Sequence, residues 1–237
     1  MLAFKVRRLT GMIAVFGMIL ATSMKANAQE RVAANVGADL VSSYVWRGQD
    51  LGNAAIQPNL SLNYRGLSLS AWGSVGLVSE DVKELDLTLG YAIGDFSVSL
   101  TDYWFNTNPK YFDYAAHSTA HVFEVQIGYD FGILDINWYT NIAGADGINN
   151  EGGRAYSSYI QLNAPFTLGG LEWDAEIGAT PWATSVYAKA NGFTICDVAL
   201  KAYKDFKMSD AVSIPVFAKI AWNPATEGAH FVFGLSF

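Results

Sequence analysis

Three carboxylates stand at every second position in Glu172-x-Asp174-x-Glu176, and two more do so in Glu84-x-Asp86. On an extended backbone that spacing puts each set on one face. A ring or row of acidic side chains inside a narrow passage favours cations over anions. Followed along the chain, the same parity collects Asp39, Glu124, Asp130, Asp135 and Asp197, against only three bases, Arg47, Lys201 and Lys219. Two readings stay open: a salt-bridged interior whose surplus acids are solvated, or an ion-selective constriction. The candidate lining residues are Asp39, Arg47, Asp86, Glu124, Glu172, Asp174, Glu176, Lys201 and Lys219.

Other constellations are weaker. Asp113, His117 and His121 are spaced four apart, which on a helix would align three metal ligands. Pro109 and the aromatic-rich surroundings do not specify a helix, and His121 begins a strand pattern, so no metal is expected. Ser118 beside His117 has no third group within legible reach, and nucleophilic catalysis needs all three together. No phosphate-binding glycine loop and no CxxC is present. The sequence therefore reads as a non-enzyme without a cofactor. The lone cysteine, Cys196, shares parity with Val198 and Leu200 and is expected on their apolar face.

The elements that must position these residues are strands. Segments of alternating character run from Ala34 to Trp46, Ile56 to Tyr64, Leu67 to Val75, Leu85 to Ile93, Phe96 to Trp104 and Phe123 to Phe131. They continue at Leu134 to Ile142, Ile160 to Phe166, Leu171 to Ala179, Phe193 to Tyr203, Val212 to Trp222 and Gly228 to Phe237. A period of two throughout, at roughly ten residues per segment, matches tilted strands long enough to cross a bilayer. Short turns at Arg65, Gly94, Gly132, Gly169 and Lys204 alternate with longer connections, among them Asn106 to Thr119 and Ala143 to Ala155. An even strand count with short turns at one end and longer loops at the other predicts an all-β, antiparallel transmembrane barrel of about 12 strands.

Facing follows from parity. Tyr64, Tyr91, Phe96, Tyr129, Phe131, Phe166 and Phe237 ring the short-turn end; Tyr44, Trp46, Trp104, Phe193, Trp222 and Phe231 ring the other. Two aromatic girdles suit the two interfaces of a membrane. Asp102 breaks the outward parity: it lies near a strand end, where a charge costs less than at the midplane, or it marks a bulge. Six aromatics point inward: Trp72, Tyr103, Tyr139, Tyr159, Tyr203 and Phe217. They fill volume or offer a stacking surface to a solute. Twelve strands leave a narrow bore at most.

The N-terminus reads as an export signal. Lys5, Arg7 and Arg8 precede an apolar run from Met12 to Ala21 and a small-x-small site at Ala26-Asn27-Ala28. The expected organisation is a signal peptide over 1–28 and a barrel domain over 29–237. The signal holds four of the 15 bases and none of the 22 acids, so the mature chain carries a formal charge of −11. That charge excludes nucleic acid as a partner. The expected location is the outer membrane of a Gram-negative envelope, with lipid and small solutes as partners. The last strand, Phe231-x-Phe233-x-Leu235-x-Phe237, resembles the terminal signal read by the outer-membrane assembly machinery.

Ser43-Tyr44, Arg47-Gly48, Gln57-Pro58 and Ala71-Trp72 together resemble the opening of the TorF-like porin family. The similarity covers residues 42 to 75. It implies an outer-membrane porin of undetermined substrate, with no catalytic residues to carry over. Val45-Trp46 and the Asp50-Leu51-Gly52 loop depart from that pattern. The resulting expectation is a narrow passive channel for small, preferentially cationic, solutes. The alternative is a filled barrel whose loops serve adhesion or docking.

Overall fold

A computed structural model describes residues 31–81, 83–107, 110–115, 118–209 and 212–237. The signal segment lies outside these residues, as do Pro109 and His117. The strands are β1 (Ala33–Val41), β2 (Tyr44–Trp46), β3 (Gln49–Gly52), β4 (Ala55–Tyr64), β5 (Leu67–Gly76), β6 (Glu84–Ile93) and β7 (Phe96–Phe105). They continue with β8 (His121–Asp130), β9 (Asp135–Gly144), β10 (Ser158–Leu168), β11 (Leu171–Thr180), β12 (Thr194–Lys207), β13 (Ser213–Asn223) and β14 (Gly228–Ser236). Twelve of them form one closed antiparallel barrel, and β1 completes the ring between β14 and β4. The other two, β2 and β3, stay out of the wall and pair with each other.

Closure leaves the wall without an edge strand, so its ladder groups are satisfied within the ring. The seam is short: Asp39, Leu40 and Val41 face Ser236, Leu235 and Gly234. It is lengthened by the last residue, since the Phe237 amide donates to the Ala38 carbonyl at 3.0 Å and the Ala38 amide donates back at 3.2 Å. Tight turns at one end join the hairpins. Arg65 and Gly66 both have positive φ (48° and 84°), the type I′ geometry that matches strand twist. The β12–β13 connection is shorter than the sequence implies, because pairing runs on to Lys207 with Ser213.

The polarity of a soluble sheet protein is inverted. On β6, Leu87, Leu89, Tyr91 and Ile93 are 40–63% exposed on the outer surface, while Glu84, Asp86 and Thr88 are 5–8% exposed inside. The last strand repeats this, with Phe231 and Phe233 outward and Val232 and Gly234 buried. The apolar surface recurs on strand after strand around the barrel, far beyond the single patches of a few hundred Å² usual on soluble monomers.

Asp102 stays on the outer surface, as its parity requires, opposite Leu87 and Phe123. It is not left unsatisfied. His121 Nδ1 lies 2.7 Å from its carboxylate, and His121 Nε2 lies 2.5 Å from the Tyr111 carbonyl in the β7–β8 loop. A carbonyl only accepts, so Nε2 carries hydrogen. Both ring nitrogens are thus engaged, beneath the ring of Tyr114 stacked at 4.2 Å.

Candidate functional site

The first long connection does not extend the wall. β1 ends at Val41, and the chain turns inward at Ser42-Ser43 to form the β2–β3 hairpin. This corrects the expected strand from Ala34 to Trp46 and the placement of Tyr44 and Trp46 in an outward girdle. Both rings face the lumen instead: Tyr44 lies 5.6 Å from Trp72, and Trp46 lies 6.0 Å from Tyr103. The hairpin closes on Arg47 and Gly48, whose φ values of 49° and 72° again define a type I′ turn. A Cβ at Gly48 would run into the Cys196 carbonyl, so only glycine lets the tip sit against β12. On β13, the Asn223 amide donates to the Gly48 carbonyl at 3.1 Å.

Arg47 at that tip is 5% exposed and is held on all sides. Its Nη1 and Nη2 donate to the two oxygens of Glu124 on β8 at 2.6 and 2.9 Å. This bidentate arrangement is the strong form of an arginine–carboxylate pair. Nη1 also donates to the Tyr187 hydroxyl, and the Tyr103 hydroxyl donates to Glu124 at 2.8 Å. The guanidinium lies 4.1 Å from the Tyr139 ring centre, 4.3 Å from Trp46, 4.8 Å from Tyr159 and 5.6 Å from Tyr187. A cation over aromatic faces gains from each ring's quadrupole, and more so when desolvated. Tyr187 reaches this cage from the β11–β12 connection. Burial is the first cause lifting its phenol above the ordinary range, while Arg47 acts in the opposite sense.

Of the sequence-predicted lining residues, the structure brings Arg47 and Glu124 together directly. Asp86 is buried beside Glu84 on β6, and each has a carboxylate oxygen without a hydrogen-bond partner. Asp174, Lys201 and Lys219 stand side by side in register across β11, β12 and β13. Lys201 Nζ lies 3.9 Å from the Phe217 ring centre and 4.7 Å from Tyr203. Glu176 accepts from the Tyr159 hydroxyl at 3.4 Å. Glu172 is exposed near the short-turn end, and Asp39 is half-buried opposite Gln57 and Ser236. These residues are not one cluster. They divide between a dry half of the lumen near the loops and a half-exposed half near the turns.

Cys196 is corrected as well. A register shift between Gly178 and Ala179 makes it the extra residue of a bulge in β12, where it is fully buried with Tyr139, Tyr159 and Tyr187. A bulge resets parity, which plain alternation cannot anticipate. The sequence reading missed the hairpin, although a signal for it was present. Arg47-Gly48 repeats the Arg65-Gly66 turn dipeptide, with alternating residues on both sides. Tyr187 carried no signal, because it stands in an irregular connection.

No family model matches the chain, and no curated protein matches it. Among solved structures, the NanC porin in a rhombohedral crystal form is similar at 11% identity and a TM-score of 0.43. The match covers 86% of this chain and 98% of that one. The chain's own ladders define its class, a closed twelve-strand antiparallel β-barrel.

Proposed function

We propose that the protein is an outer-membrane channel of narrow bore, exported by its signal peptide, with the β2–β3 hairpin as its constriction. The observation that carries this reading is the inverted polarity of a closed barrel: apolar side chains outside, titratable ones within. Its wall strands of 9 to 14 residues are long enough for a tilted crossing. The resemblance to the TorF-like porins supports the same reading, and several of its residues lie at or beside the constriction. Tyr44 packs on Trp72, Arg47-Gly48 forms the tip, and Gln57 donates to Ser74 on the adjoining wall at 3.4 Å. Small solutes are the expected cargo, with cations favoured by the acids lining the lumen.

A second reading is a filled barrel that acts through its loops. It is favoured by one observation: the hairpin touches strands around most of the ring, from Trp72 on β5 to Asn223 on β13. Planar-bilayer recording of the purified barrel separates the two. The channel reading expects small conductance steps in the wild type. Silence at every voltage, from protein shown to be folded by heat-modifiable migration, would favour the filled barrel.

A further inference from the structure

The cage around Arg47 has the composition of a receptor for a free cation. Three of its rings, Tyr139, Tyr159 and Tyr187, come from the barrel wall and a distant connection, not from the hairpin that inserts the guanidinium. So does the carboxylate of Glu124, which takes both outer nitrogens at once. These groups are 0–5% exposed and pack into one cluster with Cys196. Remove the hairpin tip and they would leave a pocket with aromatic walls and an anionic floor. Such a pocket selects a flat or compact organic cation over hydrated sodium, because the rings replace water only for a weakly hydrated ion.

We infer that the three tyrosines and Glu124 form a binding site for a small organic cation of the guanidinium or alkylammonium class, which Arg47 occupies as a tethered stand-in. The inference rests on the channel reading in one respect: a free cation reaches the cage through the lumen. Arg47 then sets the threshold, since any ligand competes with an arginine held at high effective concentration by its own hairpin. The hairpin is held by this arginine, by the Asn223–Gly48 hydrogen bond and by Trp46 packed on Tyr103 and Tyr187. Displacing the guanidinium removes the ionic one of these holds and loosens the constriction.

The test uses Arg47→Ala in the full-length folded barrel, with Cys196 as the reporter. Cys196 is the chain's single cysteine and lies buried beneath the hairpin tip. Loss of a buried charge pair should raise its labelling by a water-soluble maleimide on the order of a hundredfold over wild type. Millimolar methylguanidinium should return the rate toward the wild-type value, and sodium chloride at equal ionic strength should not. The double variant Arg47→Ala/Glu124→Gln should lose that protection. Protection by sodium chloride as strong as that by methylguanidinium would overturn the inference. If Arg47→Ala does not fold alone, the readout is the yield of heat-modifiable barrel refolded with each salt. A higher yield with methylguanidinium supports the site, and equal yields overturn it. Conductance measured on the same preparation keeps the two claims apart. A conducting barrel without protection refutes the cage alone, whereas a silent barrel with protection refutes the channel alone.

Discussion

The two halves of the lumen are built on the same alternating wall and behave as different media. Near the loops, Arg47, Glu124, Tyr139, Tyr159 and Tyr187 are all within 5% of complete burial. Near the turns, Asp39, Ser61, Asn63, Asp174, Lys201 and Lys219 are half-exposed, and Glu172 is open to solvent. The wall strands do not make this difference. It comes from whether a connection enters the barrel: at the turn end the connections are only two to five residues long, and at the loop end the β2–β3 hairpin and Tyr187 enter. In the dry half Arg47 and Glu124 meet in good geometry, where desolvation is costly and attraction is strong, while Glu84 and Asp86 are buried with unpartnered carboxylate oxygens. Charges in the wet half can stay in surplus, screened by water and salt.

That contrast orders the expected effects. The largest is on the buried pair: Arg47→Ala or Glu124→Gln strands its partner and should cost about 3–5 kcal/mol in denaturant unfolding of the folded barrel. Glu172→Gln, at the solvent-exposed turn end, should cost no more than about 1 kcal/mol by the same measurement. Equal costs in the two halves would break the comparison. Next comes facing. Leu87→Arg puts a cation on the outer apolar surface and should hinder insertion by about 2–4 kcal/mol, while Ser61→Arg in the wet half should insert normally. Thr88, the inward neighbour of Leu87, is an unsuitable control. It is 8% exposed and its hydroxyl bonds Thr101 at 3.0 Å, so an arginine there meets packed side chains rather than water.

A smaller effect belongs to Gly178→Ala. The added methyl would meet the Tyr159 ring, so the tyrosine must leave its place in the cage. Overpacking of this kind costs roughly 1–3 kcal/mol, and it should also speed Cys196 labelling. The smallest effect is on selectivity. Neutralising Glu172, Asp174 and Glu176 to their amides should weaken cation preference in low salt more than neutralising Glu80 and Glu151 in the loops. The difference should fade as the Debye length falls below about 10 Å above 0.1 M salt. Reversal potentials across a salt gradient measure it, and an anion preference in the wild type would show that Lys201 and Lys219 set the local field.

Most of the fold was legible because a barrel wall repeats one rule. Period-two alternation placed eleven of the twelve wall strands within a few residues, and the inward facing of Tyr103, Tyr139, Tyr159 and Phe217 followed from it. The rule failed where the backbone stops obeying it. At Ser42-Ser43 the chain leaves the wall while its alternation continues, so Trp46 kept the parity of an outward residue while pointing inward. At Cys196 a bulge shifts parity by one. The pairing of Arg47 with Glu124 joins residues 77 positions apart. Parity could put both inside, but only the hairpin's re-entry brings them into contact.

On the proposed channel reading, the hairpin, latched by Arg47, limits passage through the lumen. Single-channel conductance of the wild type and Arg47→Ala, recorded in the same planar bilayers, tests it most directly. A small wild-type conductance that steps up severalfold in the variant is the expected result. Identical conductances, or none in either folded protein, would contradict it.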